Sequence, residues 1–212
     1  MTDPHRNTPV VKLGCDLSSA EIALVLLHER ERTPEDILKL AQDMYDERIT
    51  YFAPQAAGNS WYPYSFLAPL EQNEPWLSSA IAKVDSVVRM CVAKGLSRQK
   101  VVIGGFSQGA CLATEFVARH PARYGALIAF TGGLIGAPGT DLRHTGSLKG
   151  TPALLSSGDP DPLVPWARVE SSARELERMG ACVQLNRHPR RPHSILKEEL
   201  EAARGMIISL LS

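Results

Sequence analysis

Along the chain, short unbroken aliphatic runs alternate with longer stretches in which apolar residues recur every three or four positions. Ile22-Ala-Leu-Val-Leu-Leu27 has the length and continuity of a strand covered on both faces. Thr33-Pro34-Glu35-Asp36 then supplies an N-cap, a proline for the first helical turn and two acids for the helix N-terminus, so a helix is expected through Leu38, Leu40 and Met44. Ile49-Thr-Tyr-Phe52 reads as the next strand. Trp76 to Ala93 has helical spacing with Gly95 as its stop, Val101-Val-Ile103 is a buried strand, and Gln108 to His120 is a helix. Gly125 to Phe130 and Ala153 to Leu155 are strands, Pro165 to Met179 a helix, Cys182 to Leu185 a strand, and Ser194 to Leu211 a closing helix. Strand and helix in alternation imply an α/β chain, with a mostly parallel central sheet and helices on both faces.

Residues 54–75 break this rhythm. They are rich in Gly, Pro and aromatics, and too long for a simple turn. Trp61, Tyr62, Tyr64 and Phe66 within the loop argue against disorder; they either wall a pocket or anchor the loop on the core, with Trp61 and Tyr62 as pocket candidates. No repeat or domain-sized linker divides the 212 residues, so one domain over 1–212 is expected, with 1–10 as a flexible N-terminal segment.

Composition narrows the function classes. Lys+Arg and Asp+Glu are both 23, which leaves no net charge to draw the chain to nucleic acid or an anionic membrane. No segment approaches the roughly 20 apolar residues of a membrane span, and the polar stretch from Met1 to Pro9 lacks the apolar core of a secretory signal. Cys15, Cys91, Cys111 and Cys182 have neither paired nor zinc-ligand spacing, so they read as reduced thiols in a cytoplasmic protein without a metal.

The chemistry gathers around Gly105-Phe106-Ser107-Gln108-Gly109, a G-x-S-x-G run that leaves a strand and opens a helix. There a serine sits on a tight turn above the C-terminal edge of the sheet, and the helix N-terminus presents free N–H groups, that of Gln108 first, to a developing oxyanion. A serine nucleophile needs a base, and the base an orienting acid, in the chain order Ser, Asp or Glu, His. Asp159 or Asp161, in Ser157-Gly-Asp-Pro-Asp-Pro-Leu-Val-Pro165, follows one strand, and His188 or His193 follows the next. All of them reach the same edge.

Gly-Phe-Ser-Gln-Gly-Ala, the Asp-Pro-Leu-Val-Pro turn, His-Ser-Ile-x-x-Glu-Glu-Leu and Pro54-Gln-Ala-Ala-Gly-Asn-Ser-Trp-Tyr-Pro63 together resemble the phospholipase/carboxylesterase family of small bacterial carboxylesterases and acyl-protein thioesterases, from about Ile22 to Leu211. The resemblance implies a compact single-domain α/β-hydrolase without a separate lid domain or a cofactor. By position it puts the nucleophile on Ser107, the acid on Asp161, the base on His193 and the second oxyanion N–H on Arg30. It also implies a small-molecule ester or thioester substrate, with a homodimer left open.

Two loops depart from the family pattern. Where His-Gly-x-Gly is usual the chain reads His28-Glu29-Arg30-Glu31, and where Gly-x-Gly-His is usual it reads Arg190-Arg191-Pro192-His193. A glutamate replacing a glycine at positive φ is strained by about 1 kcal/mol. Arg30, Arg32, Arg190 and Arg191 either clamp an anionic substrate, with Arg30 and Arg190 the leading candidates, or pair with Glu29, Glu31 or Glu35 and hold the loops. The alternative function is a non-hydrolytic descendant, either a binding protein or a lyase or cyclase reusing the pocket.

Overall fold

In the computed structural model, which describes residues 3–211, seven strands form one sheet in the order β1-β3-β2-β4-β5-β6-β7. The strands are β1 (Val10–Gly14), β2 (Ile22–Leu27), β3 (Ile49–Pro54), β4 (Val101–Phe106), β5 (Ala126–Phe130), β6 (Pro152–Asp159) and β7 (Cys182–Pro189). β1 runs antiparallel to β3, and the remaining pairs are parallel. The alternation along β2 explains the layers. Ala23, Val25 and Leu27 join α3 (Trp76–Ala93), α4 (Gln108–Arg119) and α5 (Trp166–Arg178) on one face. Ile22, Leu24 and Leu26 pack against α1 (Pro34–Asp43) and α6 (Lys197–Ile208) on the other. The helix α2 (Leu70–Asn73) is a single turn inside the long aromatic loop.

Expected and observed elements differ mainly at the sheet edges. β1 has no counterpart in the sequence reading, because three of its five residues are exposed and its apolar signal is weak. β7 continues to Pro189, beyond Leu185, through polar residues that the edge of a sheet tolerates. The last helix begins at Lys197, not Ser194, which leaves the segment carrying His193 in a loop.

The segment before β1 is docked, in contrast to the flexible tail expected there. His5 is 0% exposed: its backbone N–H donates to Ser79 Oγ, its Nε2 lies 2.9 Å from the Trp61 carbonyl, and Nδ1 accepts the Ala57 N–H. Met1 and Thr2 lie outside the described residues.

Candidate active site

The chain leaves β2 toward β3 on one side and β4 lies on the other, so strand order reverses between β2 and β4. Ligands of open parallel sheets bind outside the carboxyl ends of the strands at such a point. Loop 28–32 leaves β2 there, and Ser107 follows β4.

Ser107 occupies φ 54° and ψ −117°, with its N–H held by the Phe130 carbonyl at 3.0 Å. The flanking glycines are forced by the same turn. A Cβ on Gly109 would stand 2.0 Å from the Leu27 carbonyl oxygen, and one on Gly105 2.6 Å from the Gly109 carbonyl carbon. No larger residue fits at either position without moving backbone.

His193 Nε2 lies 2.9 Å from Ser107 Oγ, and its Nδ1 lies 2.9 and 3.1 Å from the two carboxylate oxygens of Asp161. The Asp161 side chain is 0% exposed. Burial by itself would raise this carboxyl, but the N–H groups of Leu163 and Val164, each 2.9 Å from Oδ1, together with the imidazole, bring it below its ordinary value. The competing residues lie elsewhere. Asp159 pairs with Arg187, and His188 is bound to Ser156 Oγ at 3.0 Å and to Glu198 at 3.0 Å.

The loop carrying His193 is held from beneath by Arg191 and Glu199. Arg191, whose side chain is 2% exposed, donates to Thr131 Oγ1 at 2.6 Å and faces Glu199 Oε2 at 3.5 Å. Glu199, fully buried, also takes the Leu196 N–H at 2.8 Å and the Ser156 hydroxyl at 2.6 Å. Two acids in a row at the start of the last helix were the available signal; which of them turns inward was not legible.

The backbone N–H groups of Arg30 and Gln108 have no hydrogen-bond acceptor among the described residues. Beside them a cavity of about 310 Å³ is lined by Tyr62, Pro63, Tyr64, Phe66, Cys111, Leu163 and Val164, with Ser107 at its side. Leu163, 61% exposed on the turn after Asp161, stands out as an apolar residue at its rim.

Three of the expected substrate contacts are placed differently. Trp61 is 0% exposed, absent from the cavity wall, and donates its indole N–H to the His28 carbonyl, so it anchors the loop. Arg30 borders the cavity, but its guanidinium is committed to the carbonyls of Tyr62, Pro63 and Tyr64 at 2.7 to 3.0 Å. Arg190 is exposed at φ 56°, outside the cavity. Tyr62 does line the cavity, although its hydroxyl is buried in the wall by Cys111 without a partner in hydrogen-bond geometry, and burial pushes both groups up, the thiol to about 12.

No cluster of metal-ligating side chains occurs among the described residues. No helix among them is long and apolar enough to cross a membrane.

Comparison with known proteins agrees with this architecture. Residues 47–210 match the phospholipase/carboxylesterase family. A crystal structure of phospholipase/carboxylesterase from Dyadobacter fermentans superposes with a TM-score of 0.91 at 42% identity, covering 95% of this chain and 97% of that one. Acyl-protein thioesterase 1 of Saccharomyces cerevisiae is 32% identical over 138 residues, 63% of this chain and 60% of that protein. A probable carboxylesterase, SOBER1-like, of Arabidopsis thaliana is 28% identical over 145 residues, 67% of this chain and 55% of that protein. The matches thus span little more than half the length of these curated relatives.

Proposed function

The chain belongs to the phospholipase/carboxylesterase family, and from that premise we propose that it hydrolyses a carboxylic ester or thioester through an acyl-enzyme formed on Ser107. The observation that carries this reading is the continuous run from Ser107 Oγ through His193 to a buried Asp161, each step at 2.9 Å, beside two backbone N–H groups with no acceptor among the described residues.

Asp161 accepts a hydrogen bond from Nδ1–H of His193 and so leaves Nε2 free as a base toward Ser107. As Oγ attacks the substrate carbonyl, its proton passes to Nε2, and the oxyanion is received by the N–H groups of Gln108 and Arg30. The C–O or C–S bond then breaks, and the leaving group takes the proton back from Nε2. A water molecule, deprotonated by the same nitrogen, releases the acid and restores Ser107.

The cavity wall of Tyr62, Phe66, Leu163 and Val164 suits a neutral, apolar acyl group. The cavity holds no free clamp among these arginines: Arg30 and Arg191 are bound to the protein, Arg32 approaches Glu29 at 3.7 Å, and Arg190 is exposed and not part of the cavity wall. Four cysteines without a disulfide among the described residues are consistent with a reducing compartment, and we place the protein in the cytoplasm.

Ser107→Ala tests the proposal directly. The variant is expected to fold, to escape labelling by a fluorophosphonate that modifies the wild-type serine, and to lose turnover of p-nitrophenyl esters by several orders of magnitude, on the order of 10⁶ where the three groups act as a unit. Turnover close to wild type in a clean Ser107→Ala preparation would overturn the mechanism, and a wild-type protein that neither labels nor turns over would favour a binding role.

A further inference from the structure

The residues that carry the two candidate oxyanion N–H groups also send their side chains to one short segment. Arg30 donates to the carbonyls of Pro63 at 2.8 Å, Tyr62 at 3.0 Å and Tyr64 at 2.7 Å. Gln108 Nε2 donates to the Tyr62 carbonyl at 2.8 Å and to Ser60 Oγ at 3.2 Å, while its Oε1 accepts the Trp61 N–H at 3.0 Å. The Tyr62 carbonyl is thus shared by both side chains, one from the loop after β2 and one from the start of α4. The same segment is tied to loop 28–32 twice more, by Trp61 Nε1 to the His28 carbonyl at 2.8 Å and by the Glu31 N–H to the Asn59 carbonyl at 2.7 Å.

A glycine-rich oxyanion loop is fixed by a tight backbone path. This loop lacks those glycines and holds Glu31 at φ 64°, so its geometry must be enforced from outside. Residues 62–64, which receive the clasp, also line the acyl cavity.

Building on the acyl-enzyme reading above, we infer that Arg30 and Gln108 are positioning residues: their side chains clasp residues 60–64 so that the oxyanion N–H groups and the wall of the acyl cavity move as one body. Filling the cavity then sets the oxyanion donors, and acyl preference is expressed in kcat more than in KM. This assigns to Arg30 a function in transition-state geometry with no contact to the substrate through its guanidinium.

The variants are Arg30→Met, which keeps the stem and removes the donors, Arg30→Lys, which can still reach part of the carbonyl cluster, Gln108→Met, and the Arg30→Met/Gln108→Met pair. Folding is checked for each by its melting temperature. Amide hydrogen exchange on the free protein is expected to rise in residues 28–32 and 56–64 together in either single variant. For a p-nitrophenyl ester that fills the cavity, kcat is expected to fall roughly ten- to a hundredfold in Arg30→Met, with KM changed by no more than about threefold and partial rescue in Arg30→Lys. Because the Tyr62 carbonyl is shared, the paired variant is expected to lose less than the product of the single losses.

Unchanged exchange in those two segments would overturn the clasp whether or not the wild type is an esterase. An active wild type with a folded Arg30→Met of undiminished kcat, or losses that multiply in full, would overturn it while leaving Ser107 as the nucleophile. A wild type without turnover would sink the hydrolase reading alone, with the exchange result still deciding the clasp.

Discussion

Asp161→Asn is the perturbation whose outcome the geometry constrains most tightly. Oδ1 of Asp161 already accepts the N–H groups of Leu163 and Val164, both at 2.9 Å. A carboxamide here keeps its oxygen at that position, since an NH₂ facing two donors would leave three buried groups unpaired. The NH₂ therefore lands where Oδ2 now stands, 2.9 Å from His193 Nδ1. Nδ1–H is then left with a donor at 2.9 Å and only Oδ1, at 3.1 Å and already accepting two N–H groups, which favours the tautomer with the proton on Nε2, the atom that accepts from Ser107 in the proposed mechanism. The expected loss in kcat is on the order of 10⁴-fold, equivalent to about 5.5 kcal/mol of transition-state stabilisation. The control is Asp159→Asn, which breaks a partly exposed pair with Arg187 and is expected to change kcat by less than about threefold. Both are measured with a saturating p-nitrophenyl ester below each variant's melting temperature. The same carboxyl has a folded-state pKa below its ordinary 3.8, so its stabilising contribution is present above that value and is lost as pH falls through the lower folded value. Wild type should therefore lose more stability than Asp161→Asn between pH 5 and pH 3. An Asp161→Asn enzyme retaining a tenth of wild-type kcat, or a larger loss in Asp159→Asn, would refute the assignment.

Two further outcomes follow from groups outside the relay. Glu31→Gly removes a glutamate from φ 64° and is expected to leave the protein as stable or to raise its stability by up to about 1 kcal/mol; a clear fall in melting temperature would show that the position is unstrained. His144 has its pKa raised above 6.5, chiefly by its hydrogen bond to Glu115, whose own carboxyl is lowered despite burial. A raised histidine stabilises fully below its unfolded pKa, and that contribution is lost as pH rises through the folded one. His144→Gln is thus expected to cost more stability at pH 6 than at pH 8, as read by denaturant unfolding, and an equal or reversed cost would remove the ion pair from the account.

The central sheet was legible because both faces of it are buried. Such strands read as unbroken aliphatic runs, and Ile22–Leu27 divides its residues between the two cores in strict alternation. β1 was illegible for the opposite reason: at an edge, with one face in solvent, Val10-Val-Lys-Leu-Gly14 carries too little apolar pattern to stand out. The turn at Ser107 was readable because its constraints are steric and local. Gly105 and Gly109 are demanded by carbonyls only 2.0 to 2.7 Å from where a Cβ would sit, and sequence records such demands directly. The choice between Asp159 and Asp161, or between His188 and His193, rested on the family resemblance, since chain order alone brings all four to one edge.

Side-chain direction was the part that sequence withheld, and the arginines show why. A guanidinium on a loop has no register or helical face to fix its aim; it goes where acceptors are, and those acceptors lie on segments distant in sequence. Arg30 finds carbonyls more than 30 residues away, and Arg191 finds Thr131 at a separation of 60. Both guanidinium groups end on acceptors from segments distant in sequence, Arg30 on three carbonyls and Arg191 on the Thr131 hydroxyl. In this chain the backbone has positive φ at Glu31 and Arg190, and the neighbouring Arg30 and Arg191 side chains reach across to distant segments. Both loops are thus held by side chains, beside Ser107 Oγ, His193 and Asp161, which stand in succession at 2.9 Å. An arginine at such an edge is therefore weighed by where its donors end, and those of Arg30 and Arg191 end on the protein.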